Sequence, residues 1–327
     1  MITTYPTTDG SRDVSKGLTL EVASKESIAD GVVELILQRP DRTRLPDWTP
    51  GAHIDVALEN GVTRQYSLCG DPFDAYTYRI AVLREADGRG GSAFIHEQLE
   101  VGSSVGLGGP RNNFALTPSP RYLFVAGGIG ITPLLPMMRA ADQLGSEWSL
   151  LYLGRASERM GYRTELSALG DHVRLHASGT GGRADLPAIV KQCDDFTKLY
   201  ACGPPSLIDE IQGLTSSWRP GRVYTERFSA KTQEAPARST PFEVEFADSG
   251  IVLTVPPGVS VASVARQAGS AILTSCNIGV CGTCESRLLG GMPDHRDSLL
   301  TDEEREAGTY FYPCVSRAKS DRIVLAL

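Results

Sequence analysis

The stretch TSCNIGVCGTCESRL at residues 274–288, with YPCVSR at 312–317, sets Cys276, Cys281, Cys284 and Cys314 in the spacing C-x4-C-x2-C-x29-C. This is the plant-type [2Fe-2S] spacing. Three thiolates in one tight loop and a fourth from a distant segment can each take one corner of a two-iron rhomb. Gly279, Gly282 and the small Thr283 let the backbone fold close around the sulfurs, where peptide N–H groups can hydrogen-bond them. A zinc site is the alternative, but zinc prefers two C-x2-C-like pairs and only one is present. A disulfide framework is disfavoured by seven cysteines, an odd number, in a chain with no mark of secretion.

The 327 residues exceed one average domain and allow two or three. A net charge of -7 argues against a phosphate-backbone partner, so nucleic acid is set aside. Residues 241–327 carry eleven acidic and seven basic side chains, more than half of the net charge. An acidic face for a basic redox partner and ordinary solubility are both compatible with that. The N-terminus has neither a basic region nor an apolar one, and no run approaches a membrane span. A cytoplasmic protein, with no membrane partner, is the expectation.

From residue 18 to 116, short strands alternate with Gly, Pro and Asp turns: LTLEVAS, GVVELILQ, HIDVALE, RQYSLCG, YTYRIAVLRE and SVGLGGP. That density predicts a small antiparallel barrel, with one helix from Ser92 to Gln98. Arg64 and Ser67 in RQYSL offer a guanidinium and a hydroxyl to a phosphate or flavin ring, although Arg and Tyr alternate on many sheet surfaces. The glycines of DGRGGS, Asp87 to Ser92, free amides at a helix N-terminus for a phosphate, or simply make a hairpin tip.

At residue 121 the pattern changes to alternating strand and helix, which predicts a parallel sheet with ligands at its C-terminal strand ends. RYLFVA leads into GGIGITP, and a helix follows to Gly145, with Thr132 as expected N-cap and Pro133 at N1. GGIGITP lacks the G-x-G-x-x-G pattern yet offers close backbone approach to a pyrophosphate. KLYACGPP supplies a second loop, where Cys202 is either a site residue or a core cysteine at a strand end. SAKTQEAPARST, 229–240, reads as a linker. Beyond it come a hairpin turning at Asp248 to Gly250, a helix near VASVARQAG, a short helix capped by Thr301 and Glu304 and stopped by Gly308, and a final strand IVLAL. These parts fit a β-grasp α+β domain. The four domain segments are therefore 15–117, 118–228, the linker 229–240, and 241–327.

RxYS at Arg64, Tyr66 and Ser67, GRGGS at Gly88 to Ser92, GGxGxTP at Gly127 to Pro133, CGP at Cys202 to Pro204, ERF at Glu226 to Phe228 and the four cysteines occur in that order. In this the chain resembles the phthalate dioxygenase reductase family, within the wider ferredoxin–NADP reductase superfamily, from about 18 to 327. The resemblance implies an FMN-binding β-barrel, an NAD(P)-binding α/β domain and a plant-type [2Fe-2S] domain. It implies that Arg64, Tyr66 and Ser67 hold the flavin, that Ala81 and Val82 line its ring edge, and that Gly90, Gly91 and Ser92 bind its phosphate. Gly127, Gly128, Gly130 and Thr132 would place the dinucleotide, with Gly203 and Pro204 in the CGP loop. Cys202 would sit near the hydride-bearing carbon and Phe228 would pack on the isoalloxazine; with Thr132 and Ser67 these form the implied catalytic set. FMN is favoured over FAD because relatives with a GRGGS loop and a C-terminal cluster close off the phosphate there.

The implied activity is the reductase of a Rieske-type aromatic-ring oxygenase, working as a monomer and passing electrons from NADH through FMN and [2Fe-2S] to the oxygenase. NADH yields two electrons as a hydride, a [2Fe-2S] cluster accepts one at a time, and a flavin bridges the two. The adenosine end departs from an NADH pattern: Gly154 and Arg155 follow the second strand, and the third leads to no acid before Asp185. Charge alone permits NADPH. The alternatives are a flavin and iron–sulfur reductase serving another one-electron acceptor, or a zinc-holding or redox-sensing binding protein. The five histidines show no metal spacing.

Overall fold

The computed structural model describes residues 18–86, 88, 90–230, 235–270 and 272–327. The expected start of the barrel at residue 15, Asp87 and Arg89 of the DGRGGS loop, and part of 229–240 lie outside the described residues.

Six antiparallel strands form the first sheet: β1 (Leu18–Ala29), β2 (Val32–Gln38), β3 (His53–Ala57), β4 (Thr63–Ser67), β5 (Thr77–Leu83) and β6 (Ser104–Arg111), in the order β4-β3-β6-β1-β2-β5. The chain just past the β4 end meets the β5 end, where the Cys69 amide donates to the Arg79 carbonyl at 2.9 Å, and the sheet curls into a barrel. Leu20, Leu35, Ile54, Val56 and Ile80 fill its interior, alternating with outward residues as a half-buried strand requires. A single helix, α1 (Gly91–Glu97), starts one residue before its expected position.

Five parallel strands follow, β7 (Arg121–Gly127), β8 (Glu147–Gly154), β9 (Val173–Ala177), β10 (Thr197–Cys202) and β11 (Val223–Glu226), ordered β11-β10-β7-β8-β9. Helices α2 (Leu134–Gln143), α3 (Arg163–Ser167), α4 (Ser178–Gly181), α5 (Leu186–Val190) and α6 (Pro205–Leu214) connect them. One expectation fails locally. A 3-10 turn over Gly128–Ile131 takes the helix entry, so α2 starts at Leu134, and the Thr132 hydroxyl donates back to the Ile129 carbonyl at 3.0 Å instead of capping.

The last unit holds β12 (Phe242–Phe246), β13 (Ile251–Val255), α7 (Val261–Gln267), β14 (Ser286–Gly290), β15 (Pro293–Asp294), α8 (Asp302–Ala307), β16 (Tyr310–Phe311), β17 (Arg317–Ala318) and β18 (Arg322–Leu325). The β12–β13 hairpin, parallel pairing of β12 with β18, and α7 packed on the sheet make the β-grasp arrangement. The capping box of Thr301 and Glu304 forms, and Gly308 ends α8 with a positive φ of 58°. The second half of the linker is fastened to this unit: the Ala237 amide donates to Asp294 at 3.1 Å and Arg238 to the Ser320 carbonyl at 2.8 Å.

The two domain junctions differ in kind. One apolar core contains Val32, Cys69 and Ala81 of the barrel together with Phe124, Leu134 and Tyr152 of the parallel-sheet domain. Among the described residues, neither apolar cluster of the cysteine-loop domain takes a residue from the barrel. At the first junction the Tyr200 hydroxyl accepts from the Thr117 amide at 2.8 Å and donates to the Ala115 carbonyl at 3.1 Å, tying the interdomain crossing to β10. Tyr200→Phe strands both backbone groups, so it is expected to lower the unfolding free energy by about 1–3 kcal/mol, read as a lower urea midpoint with an unchanged m-value in equilibrium unfolding.

Candidate functional site

β7 and β10 are adjacent and parallel, so the loops that leave their C-terminal ends meet. A Cβ on Gly130 would lie 2.2 Å from the Cys202 carbonyl oxygen, and one on Gly127 would lie 2.6 Å from Pro204 Cδ. A Cβ on Gly203 would lie 3.0 Å from Gly127 Cα. The sequence needs glycine here because two backbones touch.

Above these loops opens a cavity of about 690 Å³, within the range of small-molecule sites. Gly127, Gly128, Gly130, Gly203, Pro204 and Phe228 line it, together with Leu83 and Glu85 at the end of β5. One space therefore touches both the barrel and the parallel sheet. Phe228 is 41% exposed there, an aromatic ring with no cover of its own. The far wall carries Arg155, Arg159 and Arg183, with Arg183 paired to Glu210 at 2.5 Å.

Two expected residues lie deeper. Cys202 is fully buried beneath the glycine loops, and its Sγ faces Glu226 Oε2 at 3.9 Å. Thr132 is buried with its hydroxyl engaged as described. Burial pushes the Glu226 carboxyl up to about 8 and the Cys202 thiol well above its ordinary range. Glu226 is a group that sequence reasoning passed over, although the ERF motif contained it. Leu83, Glu85 and Arg159 carried no local signal, since they reach the cavity only through the fold.

On the barrel, Arg64 lies across the glycine turn: a Cβ on Gly91 would sit 2.6 Å from Arg64 Cγ. Gly90 opens α1 with a φ of 83°. The Ser92 hydroxyl accepts from the Glu85 amide at 3.1 Å. Burial raises the Tyr66 phenol above its ordinary range, with Arg64 and Glu85 as its charged neighbours. Arg64, Tyr66, Glu85 and Gly90 to Ser92 thus gather at one place beside the cavity. Ser67 is buried on the opposite strand face, Ala81 packs in the core shared with the parallel sheet, and Val82 in the barrel interior.

The cysteines sit as two pairs. Cys276 shares a hydrogen bond with Cys281, and Cys284 with Cys314, and all four are buried. In each pair one thiol is raised and the other lowered, mainly through that shared bond; Cys281 falls to about 6. Two pairs side by side suit a rhomb in which each iron takes two thiolates. The Ile278 amide donates to Cys276 Sγ at 3.4 Å, and Gly279 and Gly282, both with φ of 72°, turn the loop around the sulfurs. A Cβ on Gly279 would strike Val315 at 2.7 Å.

A barrel that gathers Arg64, Tyr66 and a glycine turn, a parallel sheet with a nucleotide-sized cleft and a paired-thiol loop are the parts of a flavin and iron–sulfur oxidoreductase. Residues 244–319 match the 2Fe-2S iron-sulfur cluster binding domain. The chain is 40% identical to phenoxybenzoate dioxygenase subunit beta of Ectopseudomonas oleovorans over 91% of this chain and 94% of that one. It superposes on the structure of a phthalate dioxygenase reductase with a TM-score of 0.71 and 36% identity, covering 96% of this chain and 98% of the other. It superposes on a type IV self-sufficient cytochrome P450 monooxygenase with a TM-score of 0.88 and 38% identity, covering 99% of this chain but only 43% of that one. The chain belongs to the phthalate dioxygenase reductase family.

Gly130→Ala forces the two loops apart and is expected to cost about 1–3 kcal/mol of stability. It should also weaken nucleotide binding in titration calorimetry while leaving the visible absorbance of the cluster. Glu226 has a second signature. Its carboxyl rises from 4.5 to about 8 on folding, so the folded state holds more protons across that window and this group's contribution to stability falls as pH rises through it. Glu226→Gln should flatten the decline in Tm between those pH values.

Proposed function

We propose that this chain is the reductase component of a Rieske-type oxygenase system, carrying electrons from NADH through FMN and its [2Fe-2S] cluster to the oxygenase. The observation that carries this reading is the single cavity walled by Leu83 and Glu85 of the barrel and by the GGIG and CGPP loops of the parallel sheet. Arg64, Tyr66 and the Gly90 to Ser92 turn would hold the flavin, and those glycines would receive the nicotinamide beside it. When bound, the flavin supplies the conversion from one hydride to two single electrons.

The chain's own residues do the positioning. Gly127, Gly130 and Gly203 would admit the dinucleotide backbone, and the exposed ring of Phe228 would pack on the flavin. Cys202 would sit near the reacting carbon with the Glu226 carboxyl 3.9 Å behind its sulfur, both pushed toward their neutral forms; a charge on Glu226 would favour the cationic nicotinamide that hydride loss leaves. No side-chain acid or base is required. Cys276, Cys281, Cys284 and Cys314 hold the cluster as the exit port, and the protein works as a monomer. The relatives' names favour an oxygenase as acceptor over a cytochrome or other one-electron carrier. For the donor, Arg155 and Arg159 on the cavity wall are the groups that would meet a 2'-phosphate, and the ratio of kcat/KM for NADH and NADPH decides between the two.

The purified protein is expected to show flavin and [2Fe-2S] absorption together; a colourless, zinc-loaded protein would refute the reading. Cys281→Ser should abolish NADH-driven reduction of a one-electron protein acceptor and leave NADH–ferricyanide turnover at the flavin. Loss of both in a folded, flavin-bearing protein would overturn the order of carriers.

A further inference from the structure

The barrel touches the cysteine loop through a few polar contacts. Asp55, on β3, is buried and points away from the barrel interior, because Ile54 and Val56 on either side fill that interior. One carboxylate oxygen is ion-paired with Arg111 at the end of β6. The other accepts a 2.5 Å hydrogen bond from the hydroxyl of Ser275, the residue before the first cysteine ligand. Two residues beyond Arg111, the Asn113 side-chain amide donates at 2.9 Å to the carbonyl of Cys281, itself a ligand. The fit is tight: a Cβ on Gly282 would stand 2.5 Å from Asn113 Nδ2. His53, on the same strand face as Asp55, is 3% exposed, and neither ring nitrogen has a partner; Gln65 Nε2 and Arg111 Nε are likewise buried and unpaired. Burial and the neighbouring Arg111 hold the His53 imidazole down at about 4, so it stays neutral and adds no charge to this face.

We propose that Asp55 and Asn113 are positioning residues that seat the cluster loop on the barrel and thereby set the rate at which the cluster is reduced by the flavin. The inference rests on the electron order given above. The parallel-sheet domain is fixed to the barrel by a shared apolar core, which tolerates loss of any one contact. Among the described residues the cysteine-loop domain shares no such core with the barrel, so the bonds to Ser275 and Cys281 weigh more in its placement. Both bonds land on or next to ligand cysteines, and a shift there moves the cluster itself. In the step concerned the flavin loses one electron and the cluster gains it; no bond forms or breaks, and the proton stays with the flavin. Small displacements of reacting partners cost large factors in rate.

The test uses the full chain loaded with flavin and cluster, mixed anaerobically with NADH. Asn113→Ala and Asp55→Asn should leave flavin bleaching at the parent rate and slow cluster reduction about tenfold or more. Ser275→Ala, which removes the cross-domain bond but keeps the Asp55–Arg111 pair, should slow it in the same direction. Hydrogen exchange at the amides of residues 275–282 should quicken in all three, in loaded and unloaded protein alike. Cluster reduction within twofold of the parent in Asn113→Ala and Ser275→Ala, with exchange unchanged, would overturn the proposal. If Asp55→Asn loses its cluster, the other two variants decide. A parent protein whose flavin is not bleached by NADH defeats the functional reading instead, and the exchange experiment still reports on the seat.

Discussion

The backbones of Gly130 and Cys202 stand so close that no side chain fits between them, and the working part of the molecule is arranged around that contact. Adjacent parallel strands deliver two loops to one place, and glycines let those loops touch. The cavity exists because the loops close its floor. Cys202 is buried for the same reason, and its surroundings push both its thiol and the neighbouring Glu226 carboxyl toward their protonated forms.

The barrel is the hub for both neighbours, and it uses different chemistry toward each. Toward the parallel sheet it adds a cationic clamp to the shared apolar core. Arg79 pairs with Glu34 at 2.5 Å, lies 4.7 Å from the centre of the Tyr162 ring, and reaches Glu165 at 3.4 Å. Tyr162 accepts a left-handed φ of 61° to bring its hydroxyl within 3.3 Å of the buried Cys69 thiol. A non-glycine residue tolerates that conformation only when its surroundings fix it. Toward the cysteine loop the contact is narrow and polar. The parallel sheet and the barrel share a cavity of about 690 Å³, whereas the cysteine loop meets the barrel at one small patch.

Much of this was legible in the sequence, for identifiable reasons. The cysteine spacing, the glycine-rich loops and the change from strand-turn to strand-helix rhythm are local patterns, and local patterns survive without coordinates. The capping box at Thr301 formed as its residues dictate. Thr132 misled because the glycines before it allow a 3-10 turn, which propensity alone does not reveal. Asp55 and Asn113 were invisible: each is an ordinary polar residue on a barrel, and its partner lies well over a hundred positions further along the chain. The cleft wall at Leu83 and Glu85 was hidden likewise, since only the docking of two domains brings it to the glycine loops. Paired rather than converging thiols also needed the structure, because spacing does not say which cysteines stand together.

The close fit of Gly282 against Asn113 bears on how such a protein is inherited and recombined. The two positions belong to different domains, one in the cysteine loop and one beyond the barrel's last strand, yet a side chain at 282 needs room made for it at 113. A genetic exchange that joins this barrel to a cysteine-loop domain from another lineage separates them, and cuts made in the linker leave that mismatch hidden from anyone inspecting the junction. The unit that travels intact is the third domain together with residue 113.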